Sequence, residues 1–68
     1  MKTYWPCAIR ILSDGTEEII STYYSCFSFE EAQKMFNLWR DYYKYNIVEC
    51  WIDVYENGVK RGKIYDEN

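Results

Sequence analysis

Two turn dipeptides, Asp14-Gly15 and Asn57-Gly58, each divide a stretch rich in β-branched and aromatic residues, and between these hairpins lies one segment with helical spacing. That arrangement confines the chain to the order strand, strand, helix, strand, strand. It predicts an α+β fold of ββαββ order, a four-stranded and mostly antiparallel sheet with one helix packed on one face. Sixty-eight residues leave room for one such unit, so residues 1–68 read as a single compact domain.

The first strand is expected over residues 4–12 and the second over 17–26. A three-residue loop, Ser13 to Gly15, with a bulge would set Arg10 against Glu18 and Ile9 against Ile19; a two-residue turn would set Ile9 against Ile20. Pro6 cannot donate to a ladder and belongs near the start of its strand or on an outward edge. Ser28 followed by Glu31 forms a capping box, with Phe27 and Ala32 placed for a hydrophobic staple, so the helix begins at Phe29 and runs to about Tyr43. Phe29, Ala32, Phe36, Trp39 and Tyr43 share one stripe of it; Met35, Leu38 and Tyr42 lie beside that stripe and widen the apolar arc. The third strand, 46–56, alternates Val48, Cys50, Ile52 and Val54 toward the helix with Glu49, Trp51, Asp53 and Tyr55 away from it. A three-residue loop from Glu56 to Gly58 would then align Asp53 with Arg61, Trp51 with Lys63 and Cys50 with Ile64. The tail, Asp66 to Asn68, is expected to fray.

Composition removes several kinds of chemistry. The chain has no histidine, which takes away the usual general base and the commonest metal ligand. Cys7, Cys26 and Cys50 form no CxxC pair and read as small buried hydrophobes, with one disulfide possible if two of their strands are neighbours. The odd cysteine count, and Lys2 with no apolar run after it, predict a reducing, cytoplasmic setting. No stretch approaches the roughly eighteen apolar residues of a membrane helix, and a net charge of −3 disfavours nucleic acid as partner. Glu30 and Glu31 complement the helix start, and Glu17 and Glu18 flank a turn. No catalytic residue, metal or cofactor is expected, and the protein is read as no enzyme.

Eight Tyr, three Trp and three Phe exceed what one helix on four short strands can bury. The leading expectation is therefore a non-enzymatic protein-binding module that docks on a protein partner or on itself as a homodimer, with Trp51, Tyr55, Tyr42, Met35 and Leu38 as contacts. The alternative is a nucleotide or single-stranded nucleic-acid binder, with Trp51 or Tyr55 stacking a base and Arg61 and Lys63 holding phosphate. Glu49, Asp53 and Glu56 on one hairpin suggest a third reading, an acidic mimic of DNA. An ordinary sheet accounts for Trp51 and Tyr55 differently, with the rings flattened over Lys63 and Arg61.

The single helix between two hairpins, the Asp14-Gly15-Thr16-Glu17 turn and the acidic, aromatic, histidine-free composition resemble the small accessory proteins of bacteriophages and mobile elements, anti-CRISPR and other anti-defence inhibitors among them. The resemblance spans the full length and implies a stoichiometric inhibitor that occludes a protein in the host cytoplasm. It carries over no individual functional residue.

Overall fold

The computed structural model describes residues 1–22 and 24–66. Its elements are β1 (Lys2–Ile11), β2 (Glu17–Ser21), α1 (Phe29–Tyr43), a short 3-10 turn (Lys44–Asn46), β3 (Ile47–Glu56) and β4 (Val59–Tyr65). The four strands form one antiparallel sheet in the order β2-β1-β3-β4. This is the α+β, ββαββ arrangement expected from the sequence.

In the first hairpin the Leu12 amide donates to the Thr16 carbonyl at 2.8 Å and the Gly15 amide to the Leu12 carbonyl at 2.9 Å, with Gly15 at φ 87°. Asp14 Oδ1 accepts from both the amide and the hydroxyl of Thr16, which locks the loop. This is the three-residue, bulged connection, and it sets Arg10 opposite Glu18 and Ile9 opposite Ile19. Arg10 Nε donates to Glu18 Oε1 at 3.1 Å, and its guanidinium lies 4.6 Å from the Tyr43 ring on the helix side.

β2 ends at Ser21, five residues short of the expected limit, and Pro6 supplies a reason. Even-numbered residues of β1 turn their polar backbone toward β2: Tyr4 exchanges both backbone hydrogen bonds with Cys26 at 2.8 Å, and Leu12 bonds Thr16. The next rung after Ala8–Ile20 would need an amide hydrogen from Pro6, which has none. Pro6 thus occupies a gap between the end of β2 and the Tyr4–Cys26 bridge, well inside a central strand that pairs on its other side with Ile52 of β3. Tyr23, part of the expected strand, lies outside the described residues.

α1 has the predicted bounds, with Ser28 Oγ accepting from the Glu31 amide at 3.1 Å. Phe27 stays largely exposed while Ala32 is fully buried, so the staple adds little. The helix packs over β1 and β3, and the core joins Ala8, Cys26, Ala32, Phe36, Cys50 and Ile52, with Phe29, Trp39, Ile20 and Ile47 packed around them. All three cysteines are free and buried.

Two bulges correct the expected pattern. Ile9 faces Glu49 while Arg10 faces Ile47, which leaves Val48 as the extra residue of β3. Val48, expected in the core, is 56% exposed, and Ile47 packs inward in its place. The second hairpin turns in two residues, Asn57 (φ 52°) and Gly58 (φ 81°), and pairs Glu56 with Val59. A bulge then leaves Arg61 unpaired between Lys60 and Gly62. Asp53 therefore faces Lys63 rather than Arg61, Trp51 faces Tyr65 rather than Lys63, and Ile64 faces Ile52 rather than Cys50. The tail does not fray at Asp66, whose amide donates to the Cys50 carbonyl at 3.0 Å and whose Oδ2 accepts from Arg40 Nη2 at 2.6 Å. Glu67 and Asn68 lie outside the described residues.

Candidate functional site

Alternation along β1, β3 and β4 gathers Trp5 and Cys7, then Trp51, Asp53 and Tyr55, then Lys63 and Tyr65 on the sheet face opposite α1. Trp5 and Tyr55 meet edge to face, ring centres 6.3 Å apart and planes at 69°. Between them a shallow depression of about 220 Å³ is lined by Trp5, Cys7, Ser21, Asp53 and Tyr55. Asp53 Oδ2 accepts a weak hydrogen bond from Cys7 Sγ at 3.6 Å, and Oδ1 lies 3.5 Å from Lys60 Nζ. That separation gives an ion pair but no hydrogen bond. Asp53 Oδ1 and Trp51 Nε1 are the buried side-chain nitrogen and oxygen atoms left without a hydrogen bond among the described residues.

Trp51 lies on the face predicted for it but is not exposed. Only 7% of its surface is accessible, because Lys63 Nζ sits 5.0 Å from the ring centre and the Tyr65 ring lies 6.3 Å away. The register explains the cover: the two-residue slip on β4 brings Tyr65 directly across from Trp51 and leaves Lys63 on the diagonal. Tyr55 is half-buried against Trp5. Arg61 does not reach these rings; its Nε lies 3.7 Å from Glu56 Oε1. Two of the three carboxylates of the proposed DNA mimic, Asp53 and Glu56, thus have basic neighbours on β4.

The helix flank is unevenly exposed. Met35 is half-buried, Leu38 is 58% exposed and Tyr42 is 78% exposed. Tyr42 stacks edge-on against Tyr43 at 4.8 Å, a contact along the helix that leaves its other side to solvent. The structure therefore keeps the five predicted contact residues on two separate surfaces: Trp51 and Tyr55 on the open sheet face, and Met35, Leu38 and Tyr42 on the outer side of α1.

Sequence reasoning did not place Trp5 or Cys7 among the candidate contacts, although their alternation with Pro6 and Ala8 on β1 was a usable signal. Burial, the neighbouring negative charge of Asp53 and the hydrogen bond to it push the Cys7 thiol up to about 11, against the opposing pull of Lys60 and Lys63. The thiol is thus protonated at neutral pH, the reverse of what an activated nucleophile needs. Burial also raises Cys26 and Cys50. An unfolded thiol releases its proton near pH 9 while folded Cys7 holds its own to about 11, so stability present below pH 9 is lost as pH climbs between those values. The unfolding free energy from urea titrations should fall across that window, by on the order of 2 kcal/mol from Cys7. Cys7→Ser should shrink the fall; a variant with the same pH slope would contradict this origin.

Among the described residues no cluster of three or more His, Cys, Asp or Glu could hold a metal ion, and no helix is long and apolar enough to cross a membrane. What the geometry defines is a small α+β domain with one helix-covered face and one open face carrying a largely covered aromatic array. The chain matches no protein-family model, no curated protein and no solved structure.

Proposed function

We propose that the protein is a non-enzymatic protein-binding module, an inhibitor that occludes a host defence protein in the cytoplasm of the phage-infected cell. The outer flank of α1 is its contact face. The observation that carries this reading is the exposure of Leu38 and Tyr42, one helical turn apart, on a helix whose sheet-facing stripe already holds the core. A tyrosine beside a leucine on a rigid helix suits helix-in-groove docking, and aromatic side chains of this kind anchor binding energy at little cost in rotamer freedom. The free, buried cysteines are in keeping with a reducing compartment. The lack of histidine and the protonated Cys7 thiol support a role in binding rather than catalysis. Base stacking on Trp51 is less favoured, because a base would have to displace Lys63 from the ring while Arg61 stays with Glu56.

Affinity capture from host lysate with the wild-type chain and with Leu38→Gln/Tyr42→Gln tests the assignment. The wild type should retain a stoichiometric partner, and the variant should hold it at least about tenfold more weakly, as loss of hot-spot contacts implies. A partner held equally by both proteins would place the contact elsewhere.

A further inference from the structure

β2 is a terminal strand of the sheet, and its polar backbone is set for a neighbour. Glu18 and Ile20 share rungs with Arg10 and Ala8, so the alternation of the ladder points the N–H and C=O of Glu17, Ile19 and Ser21 outward. The two edges of the sheet differ. β4 carries a bulge at Arg61 and the cations Lys60, Arg61 and Lys63, devices against strand addition, whereas the five-residue β2 has no bulge, proline or basic residue and only Glu17 and Glu18 as charges, at its first two positions. Ile19 is 68% exposed on this edge. Between the strand and the helix runs a groove of about 460 Å³ lined by Glu18, Ile19, Ile20, Ser21, Trp39 and Tyr43.

We propose that a second copy of this chain fills the edge, its β2 pairing antiparallel with the first about a two-fold axis through Ile19. The inference goes beyond the inhibitor reading and uses a different surface. The sequence Glu17-Glu18-Ile19-Ile20-Ser21 is complementary to itself in this register: Ile19 meets Ile19 of the other copy, Glu17 meets Ser21, and Glu18 meets Ile20. Every outward group then falls in a hydrogen-bonded pair. The two Glu17 side chains sit four residues apart along the seam, about 14 Å and beyond the screening length of about 8 Å at physiological salt. Glu18 is already neutralised by Arg10. The axis stands perpendicular to the sheet, so both helices lie on one side, and each copy brings Glu18 and Ile20 to the other's groove beside Trp39 and Tyr43. Pairing with the bulged, basic β4 edge would instead be head to tail, without the self-complementarity of the two-fold seam.

Sedimentation equilibrium of the full chain up to ~1 mM, where even a weak association near −4 kcal/mol is populated, should give twice the 8.3 kDa chain mass. Ile19→Lys, which sets two cations opposite each other at an exposed site, should halve that mass. Leu38→Gln/Tyr42→Gln should leave it doubled, which separates this seam from the helix flank. Hydrogen exchange at the Ile19 and Ser21 amides should slow in the dimer and recover on dilution. A monomer at ~1 mM, a dimer that survives Ile19→Lys, a dimer lost with the helix-flank variant, or an edge protected only by an added foreign peptide would each overturn the proposal.

Discussion

Phe36→Ala should leave the chain largely unfolded at 25 °C. Phe36 is almost wholly buried at the centre of the helix–sheet contact, among Ala8, Cys26, Ala32, Cys50 and Ile52. Its fully buried neighbours are alanines, cysteines and one isoleucine, too short to collapse into the space a phenyl ring would leave, and the Trp39 ring, 6.3 Å away, is only partly buried at the margin. Truncating a buried Phe costs about 3–5 kcal/mol, and a single core in a domain of this size rarely supplies more than about 3–5 kcal/mol in all. The loss therefore consumes the whole margin. Far-ultraviolet circular dichroism across a urea series should show no folded baseline for the variant; a cooperative transition displaced by less than about 1 kcal/mol would mean that the core lies elsewhere.

Trp51→Ala should destabilise the chain by about 3 kcal/mol, a core-sized effect from the face that has no helix on it. The ring is the most buried large side chain of that face, held between the Tyr65 ring and the Lys63 ammonium above the third strand. Its removal would uncover neighbouring Cys7, whose paired position on β1 is directly across. A ring that served only as a docking platform would give a change within about 0.5 kcal/mol in the free chain. Urea denaturation followed by circular dichroism separates the two outcomes, and the smaller one would show that Trp51 contributes no packing.

The helix was legible because three signals agreed: the Ser28 cap, the Glu31 partner, and a 3.6-residue stripe from Phe29 to Tyr43. The first hairpin was legible to the register once its loop was taken as three residues, since Asp14 and Gly15 each meet a specific demand of that bulged turn. The second hairpin was not. Asn57-Gly58 turned in two residues, and the bulge at Arg61 added a further offset, a total slip of two. An even slip preserves which face each side chain occupies and changes only its partners. That is why Lys63 was placed on the same face as Trp51 while the cover by Tyr65 was missed. Val48 failed for the related reason that a bulge in a long strand has no sequence mark here, and one extra residue turns a side chain outward. The reach of β2 depended on Pro6, which stands next along β1 after the last pair of the ladder, Cys7 with Ser21. The aromatic surplus was visible from composition, but its location was not: the structure spends it on covering the open face and leaves the helix flank bare.

The buried core of the fold is complete without Leu38 and Tyr42 on the second stripe of α1. Equilibrium urea unfolding of Leu38→Gln/Tyr42→Gln tests it most directly. If Leu38 and Tyr42 are surplus to the core, the variant should unfold within about 1 kcal/mol of wild type, the small loss reflecting the Tyr42–Tyr43 ring contact. A loss of 2 kcal/mol or more, the scale of a core truncation, would show that the stripe holds this chain together and is not held out for another.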